Sequence, residues 1–203
     1  MEIEYEATFI NIDKDGCRKK LRKINAKLIK PEFLQKRVVF NLPSGHEIKG
    51  GWLRVRDEGD RITMSLKVVN GGKIENQKEI CLTIDNFDKG VEFLGEIGCV
   101  KKAYQENKRE LWILDGAEIT IDEWPFLEPY IEIEAKSEKK VKAAAKKLGL
   151  NYSKAMFCSA DTIYSKKYNL PEDVFNNKIP KITFGKENPF IKYKNAIKSV
   201  KTK

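Results

Sequence analysis

Two sets of charged side chains stand out, most of them at the two-residue spacing of a strand face. One is acidic: Glu2, Glu4, Glu6, Glu79, Asp122, Glu132 and Glu134. The other is basic: Arg37, Arg54, Arg56, Lys67 and Arg109. On an extended chain rising ~3.4 Å per residue, alternate carboxylates lie about 7 Å apart. With an effective dielectric of about 20 they repel by about 2.4 kcal/mol. Water relieves that on a surface, whereas a channel needs cations. Carboxylate oxygens are hard ligands for a divalent metal. Guanidinium groups are bidentate forks for phosphate. The chemistry these residue types suggest is metal-bridged grip on a phosphate-rich anion.

The elements that carry these residues follow from periodicity. In residues 1–10, Glu2, Glu4 and Glu6 alternate with Ile3, Tyr5 and Ala7, which predicts a strand. Asp13 is placed to cap a helix to about Leu28, striped by Cys17, Leu21, Ile24 and Leu28. Leu34 to Leu42 reads as a strand, with Gln35, Arg37 and Val39 opposite Val38 and Phe40. Strands at Trp52–Asp57, Arg61–Val69 and Lys73–Leu82 carry Arg54 and Arg56, Lys67, and Glu79. Asp85 starts a helix to about Ile97. The long strand from Val100 to Leu114 has two possible polar faces, one with Asn107 and Arg109, the other with Lys108 and Glu110. Glu118–Asp122 and Tyr130–Glu134 flank a turn at Trp124–Leu127. Ser137 opens a helix from Lys139 to Leu148, ended by Gly149. Residues 151–168 are mixed, and beyond Pro171 the pattern is loop-like. From Gly185 the chain is Lys-rich without hydrophobic period, which predicts a flexible or loosely docked tail. The expected division is a domain over 1–184 and a basic tail over 185–203.

Composition narrows the function classes. The 203 residues suffice for one domain with a core that needs no staples. The net charge of +9 favours an anionic partner, although Lys-rich helices in water would give the same figure. Cys17, Cys81, Cys99 and Cys158 show no CxxC spacing and His46 is the single histidine, which argues against zinc. The glycines of 43–51 do not form a phosphate loop. No RNA or DNA motif is present, so nucleic acid is disfavoured despite the basic tail. An acidic N-terminus without an apolar leader, no membrane-length apolar run and scattered cysteines give a cytoplasmic expectation. Trp52, Trp112 and Trp124 read as packing residues, with Trp124 near enough to the last charged strand to touch a ligand.

Each strand pairs a charged face with an aliphatic one. A sandwich with charges in water and a barrel with an ionic lumen fit this pattern equally. The joint order of motifs distinguishes them. Glu2-Ile3-Glu4, Trp52-Leu53-Arg54-Val55-Arg56, the strand reaching Leu66-Lys67, and Asp122 followed by Tyr130-Ile131-Glu132-Ile133-Glu134 resemble the CYTH superfamily. These triphosphate tunnel metalloenzymes include class IV adenylate cyclase, thiamine triphosphatase and inorganic tripolyphosphatase. The resemblance covers roughly residues 1–170, and its specificity lies in the combination, since a lone ExE or RxR is common.

The resemblance implies an α+β fold, an eight-stranded antiparallel β-barrel with helices packed on its outside. It implies a triphosphate bound with Mg²⁺ or Mn²⁺. Glu2, Glu4, Asp122, Glu132 and Glu134 would be the metal ligands. Arg54, Arg56, Lys67 and Arg109 would bind phosphate, with Lys67 and Arg56 serving catalysis, and Glu79 would be a tunnel carboxylate. Two positions depart from the family pattern. Glu6 stands where the ExExK signature has lysine, and Arg37 and Val39 replace an Asp-x-Tyr. Arg37 is therefore expected to bind phosphate and to make up the charge lost at Glu6, with Glu6 either a further metal ligand or a partner for Arg37. For the glutamates the alternative is a solvated strand face, and for Arg54, Arg56 and Lys67 it is a purely structural counter-ion role.

The function expected first is metal-dependent hydrolysis of a triphosphate such as tripolyphosphate, ATP or thiamine triphosphate. The alternatives are a class IV-type adenylate cyclase, forming cyclic AMP and pyrophosphate, and a module that binds nucleotide or polyphosphate without turnover. A homodimer is compatible with all three.

Overall fold

The computed structural model describes residues 1–201. The N-terminal strand is split at Glu4 into β1 (Glu2–Ile3) and β2 (Tyr5–Phe9). There follow β3 (Lys27–Asn41), β4 (Gly51–Asp57), β5 (Ile62–Val69), β6 (Gln77–Ile84), β7 (Val100–Leu114), β8 (Ala117–Glu123) and β9 (Tyr130–Ala135). They pair antiparallel in the order β1-β6-β5-β4-β3-β7-β8-β9-β2. Because β1 and β2 are halves of one strand, this order closes on itself as eight staves, as expected. The seam is stitched by the Glu4 N–H donating to the Gln77 carbonyl at 3.0 Å. The Gln77 side chain donates to the Glu6 carbonyl at 2.7 Å. The ring pairs every stave on both sides over at least part of its length and encloses one face of each. A short β10 (Lys181–Ile182) adds to β7 in parallel.

The hydrophobic core lies outside the barrel, between its aliphatic face and the helices. Helices α1 (Lys14–Lys23) and α3 (Glu138–Lys147) flank the apolar side of β2, β7, β8 and β9, where Ala7, Trp112, Ile119, Ile121, Ile131 and Ile133 are buried with Leu21 and Val141. Burying one such aliphatic side chain stabilises the fold by about 2 kcal/mol. Helix α2 (Phe87–Glu96) covers Val38, Phe40 and Val55. Gly90 permits that approach, since a Cβ there would sit 2.5 Å from Ile84 Cδ1. On the outer face of β6, Ile84 packs under α2, whereas Ile80 is 45% and Leu82 53% exposed.

Several element boundaries differ from expectation. Asp13 does cap α1, accepting from the Asp15 N–H, but the helix ends at Lys23, well short of Leu28. Asn25 takes φ +58° and turns the chain into β3, so Leu28 is an exposed strand residue. The apolar spacing at Leu28 belongs to the strand that follows.

The segment read as mixed, 151–168, contains α4 (Ala160–Tyr168), and the stretch beyond Pro171 expected to be loop-like contains a π-helical turn at Val174–Lys178. The expected tail holds α5 (Pro189–Lys201). Phe190 is 1% exposed, with its ring centroid 4.5 Å from that of Tyr164 and 4.9 Å from that of Tyr168. Phe190 and the half-buried Tyr193 dock the segment, with Asn188 Nδ2 donating to the Tyr168 hydroxyl at 2.8 Å, and two aromatics give too short a period to read. Among the described residues, no helix is long and apolar enough to cross a membrane.

Candidate functional site

The lumen is a cavity of about 570 Å³ lined chiefly by charged and polar side chains. Alternation puts them there. Gln35, Arg37 and Val39 on β3 face inward while Val38 and Phe40 face the outer core. Arg54 and Arg56 on β4 face inward while Val55 faces out. On β7 the alternating inward set is Ala103, Gln105, Arg109 and Leu111, and the Lys102 side chain also reaches the cavity. Glu110 points the other way, accepting from Arg18 Nε at 2.9 Å and Trp112 Nε1 at 2.6 Å, which fixes the register left open by the sequence.

The basic wall is unevenly neutralised. Arg54 pairs with Glu79 at 2.9 Å, Arg56 with Glu58 at 2.5 Å, and Arg109 with Asp122 at 2.8 Å and Glu132 at 2.7 Å. Arg37 is 5% exposed and, among the described residues, belongs to no ion pair. Its Nη2 donates to two neutral acceptors, Gln35 Oε1 at 3.0 Å and Asn107 Oδ1, and its guanidinium lies 4.6 Å from the Trp124 ring. Burial, compounded by Arg54, Arg56 and Arg109, therefore pushes its pKa well below the usual guanidinium value. Burial and Arg54 likewise lower Arg56 to about 10. Among the described residues, the Nε atoms of Arg37, Arg54 and Arg56 are buried without a partner.

The acidic wall has the opposite imbalance. Burial raises Glu4 to about 8, and the neighbouring Glu79, Glu6 and Lys67 modulate it. Burial and the charge of Glu6 raise Glu132 to about 8 and Glu134 to about 7. Glu79 is the exception: burial opposes its ionisation, but Arg54, with hydrogen bonds from Glu4 and Ser65 and the charge of Lys67, holds it well below the usual range. Lys67 lies 2.9 Å from Glu4 and 3.4 Å from Glu6. Burial works against its charge, yet Glu6 and Glu4 keep its pKa above the usual lysine value. Glu6 thus pairs with Lys67, and of its two expected roles the pairing with Arg37 is not made.

Of the residues singled out in the sequence, Glu4, Glu6, Arg37, Arg54, Arg56, Lys67, Glu79, Arg109, Glu132 and Glu134 line the one cavity. Glu2 and Asp122 do not. Glu2 shares the inner face with its register partner Glu79 but is exposed at the barrel's end. Asp122 is 0% exposed, and its oxygens accept from Arg109, Asn107 and Thr120 behind the wall. Lining residues that the sequence reading passed over include Gln105, Thr120, Glu58, Arg61 and Lys102. Cys158 to Asp161, from the stretch read as mixed, and Phe175 and Asn176, from the one read as loop-like, also reach the lumen. A count of amides, not charges alone, on the alternating faces would have found Gln35, Gln105 and Asn107.

Glu4, Glu132 and Glu134 are oxygen donors in excess of local cations, which suits a hard divalent ion. Among the described residues no three His, Cys, Asp or Glu side chains converge as a ready-made metal cage. The donor set fits the ion, and the cage is not pre-formed.

Comparison with known proteins agrees with the geometry. A "conserved hypothetical protein" from Pyrococcus furiosus superposes with a TM-score of 0.64 at 21% identity, covering 77% of this chain and 96% of its own. A candidate adenylate cyclase from Vibrio parahaemolyticus gives 0.69 at 14% identity, covering 81% and 98%. A candidate adenylyl cyclase from Hippeastrum, described as having a dominant triphosphatase activity, gives 0.54 at 16% identity, covering 84% and 97%. At these identities the likeness is one of fold. No curated protein matches the chain. The CYTH domain profile matches residues 1–163, the span that builds every stave of the barrel and its charged lumen, and the chain belongs to the CYTH domain family.

Proposed function

We propose that this chain is a divalent-metal-dependent triphosphatase, hydrolysing an inorganic or organic triphosphate inside the barrel. The observation that carries this is the set of buried, unpartnered Nε donors on Arg37, Arg54 and Arg56, with Arg37 outside every ion pair among the described residues. A buried charged donor without an acceptor costs on the order of 1–3 kcal/mol or more. A polyphosphate supplies the missing acceptors on all three residues at once.

In this reading Arg37, Arg54, Arg56 and Arg109 bind phosphate oxygens and fix the chain of phosphates against one wall. Lys67 adds a point charge and stays protonated through Glu4 and Glu6. Phosphoryl transfer asks a protein mainly for positioning and charge stabilisation, both of which a rigid barrel provides. Glu4, Glu132 and Glu134 would hold Mg²⁺ or Mn²⁺. When bound, such an ion neutralises phosphate charge and lowers the pKa of a coordinated water. The barrel wall keeps bulk water from the arginines and so preserves their strength.

Hydrolysis ranks ahead of cyclisation because only the polyphosphate has to be held. The Trp124 ring, a candidate base-stacking surface, already has Arg37 over it. The triphosphatase activity named for the Hippeastrum neighbour points the same way. The test is a panel of tripolyphosphate, ATP, GTP and thiamine triphosphate with Mg²⁺ or Mn²⁺, with orthophosphate, pyrophosphate and cyclic nucleotide all quantified. Orthophosphate release is expected. Cyclic AMP with pyrophosphate would replace this reading with a cyclase, and binding without product would replace it with a nucleotide- or polyphosphate-binding module.

A further inference from the structure

Asn107 on β7 is 0% exposed, and both ends of its amide are used. Its Nδ2 donates to Asp122 Oδ1 at 2.6 Å, and its Oδ1 accepts from Arg37 Nη2. Asp122 is filled by its other donors: Arg109 Nε at 2.8 Å on Oδ1, Arg109 Nη2 at 2.9 Å on Oδ2, and the Thr120 hydroxyl at 2.7 Å on Oδ2. One buried carboxylate therefore orients two guanidinium groups, Arg109 directly and Arg37 through an amide.

We propose that Asn107 is the positioning residue that aims Arg37 into the lumen, with Asp122 as the common anchor of both arginines. This rests on the triphosphate reading of the site and deepens it. The physical point is that an amide passes on orientation without charge. A carboxylate at position 107 would neutralise Arg37, as Asp122 and Glu132 do for Arg109, and would lose the donor that ties position 107 to Asp122. Gln35 Oε1, 3.0 Å from the same Nη2, is the second neutral acceptor and serves the same end. Arg37 is thus held on Nη2 by two groups that leave its charge intact and its Nε unpartnered. Such a guanidinium is fixed in direction and short of an anion, which is what preorganised phosphate recognition requires.

The test is a double-mutant cycle read by calorimetric titration of inorganic tripolyphosphate without divalent metal, with thermal melts to verify folding. Asn107→Ala and Asn107→Ser remove the amide bridge, and Arg37→Gln removes its target. Each Asn107 variant is expected to weaken binding about tenfold, the scale of one charge-assisted hydrogen bond. In the Arg37→Gln background the same changes should cost less than twofold, because Asn107 then has nothing to aim. A folded Asn107→Ala or Asn107→Ser protein that binds within twofold of the unaltered chain would overturn the positioning role alone. So would an equal loss with and without Arg37, since that marks general loosening. If alanine does not fold, the serine variant, which keeps a polar group at the site, decides. Failure of the unaltered protein to bind tripolyphosphate would overturn the functional reading and this inference with it.

Discussion

Glu6→Gln is the most informative single change, because Glu6 puts a negative charge where the family pattern has lysine. Its carboxylate lies 3.4 Å from Lys67 and contributes to the raised pKa of Glu4, Glu132 and Glu134. The substitution preserves shape and removes one charge from the acidic wall. Across a lumen, one unit charge about 7 Å from another is worth about 2.4 kcal/mol at an effective dielectric of about 20. Lys67 shields part of that, so a conservative expectation is a gain of about 1.4 kcal/mol, or tenfold tighter binding of tripolyphosphate. Three effects should appear together in Glu6→Gln: tighter anion binding without metal by calorimetry, weaker Mn²⁺ binding, and higher thermal stability of the metal-free protein above pH 8. Lys67 keeps Glu4 at 2.9 Å, so the lysine is not left unpaired. Unchanged or weaker tripolyphosphate binding in a folded Glu6→Gln protein would refute the electrostatic account of the tunnel.

Other expectations follow from the same structure. The raised pKa of Glu4 and Glu132, about 8, and of Glu134, about 7, against an ordinary 4.5 means the folded chain holds protons that the unfolded chain has released. Metal-free stability should therefore fall as pH rises from about 4.5 to about 8 and then level off. Added Mg²⁺ or Mn²⁺ should restore it increasingly at the upper end, and a flat melting profile over that window would contradict the burial of these carboxylates. Arg37→Gln should raise the melting temperature, since it removes a buried charge without an acid partner, while lowering tripolyphosphate affinity at least tenfold. Phe190→Ala, or removal of residues 185–203, should lower stability by about 3–5 kcal/mol, or roughly 10 °C in thermal midpoint. A melt unchanged by either would restore the picture of a loose tail.

The staves and their lumen faces were legible in the sequence because strand alternation is a local property. Once Arg54 and Arg56 alternate with Val55, the arginines share one face and the valine takes the other. The order of charged strands, together with the family resemblance, then separated a barrel from a sandwich. Local pattern could not fix where α1 stops, because Leu28 continues the apolar spacing until Asn25 breaks the helix. Nor could it show that the C-terminal segment docks, since that depends on Phe190 finding Tyr164 across the fold.

Within the site, sequence determined which residue types are present, and tertiary structure decided their partners. Glu2 and Asp122 carry the same chemistry as Glu132 and Glu134, but one ends in solvent and the other is consumed by Arg109, Asn107 and Thr120. Glu6 pairs with Lys67 rather than Arg37 because β2 and β5 bring those two together, a proximity no spacing along the chain encodes. Arg37 owes its uncompensated charge to two neutral neighbours, one on β3 and one on β7. Charge is a property of the residue, whereas neutralisation belongs to the packed barrel, and that is why only the structure shows which cation awaits an anion.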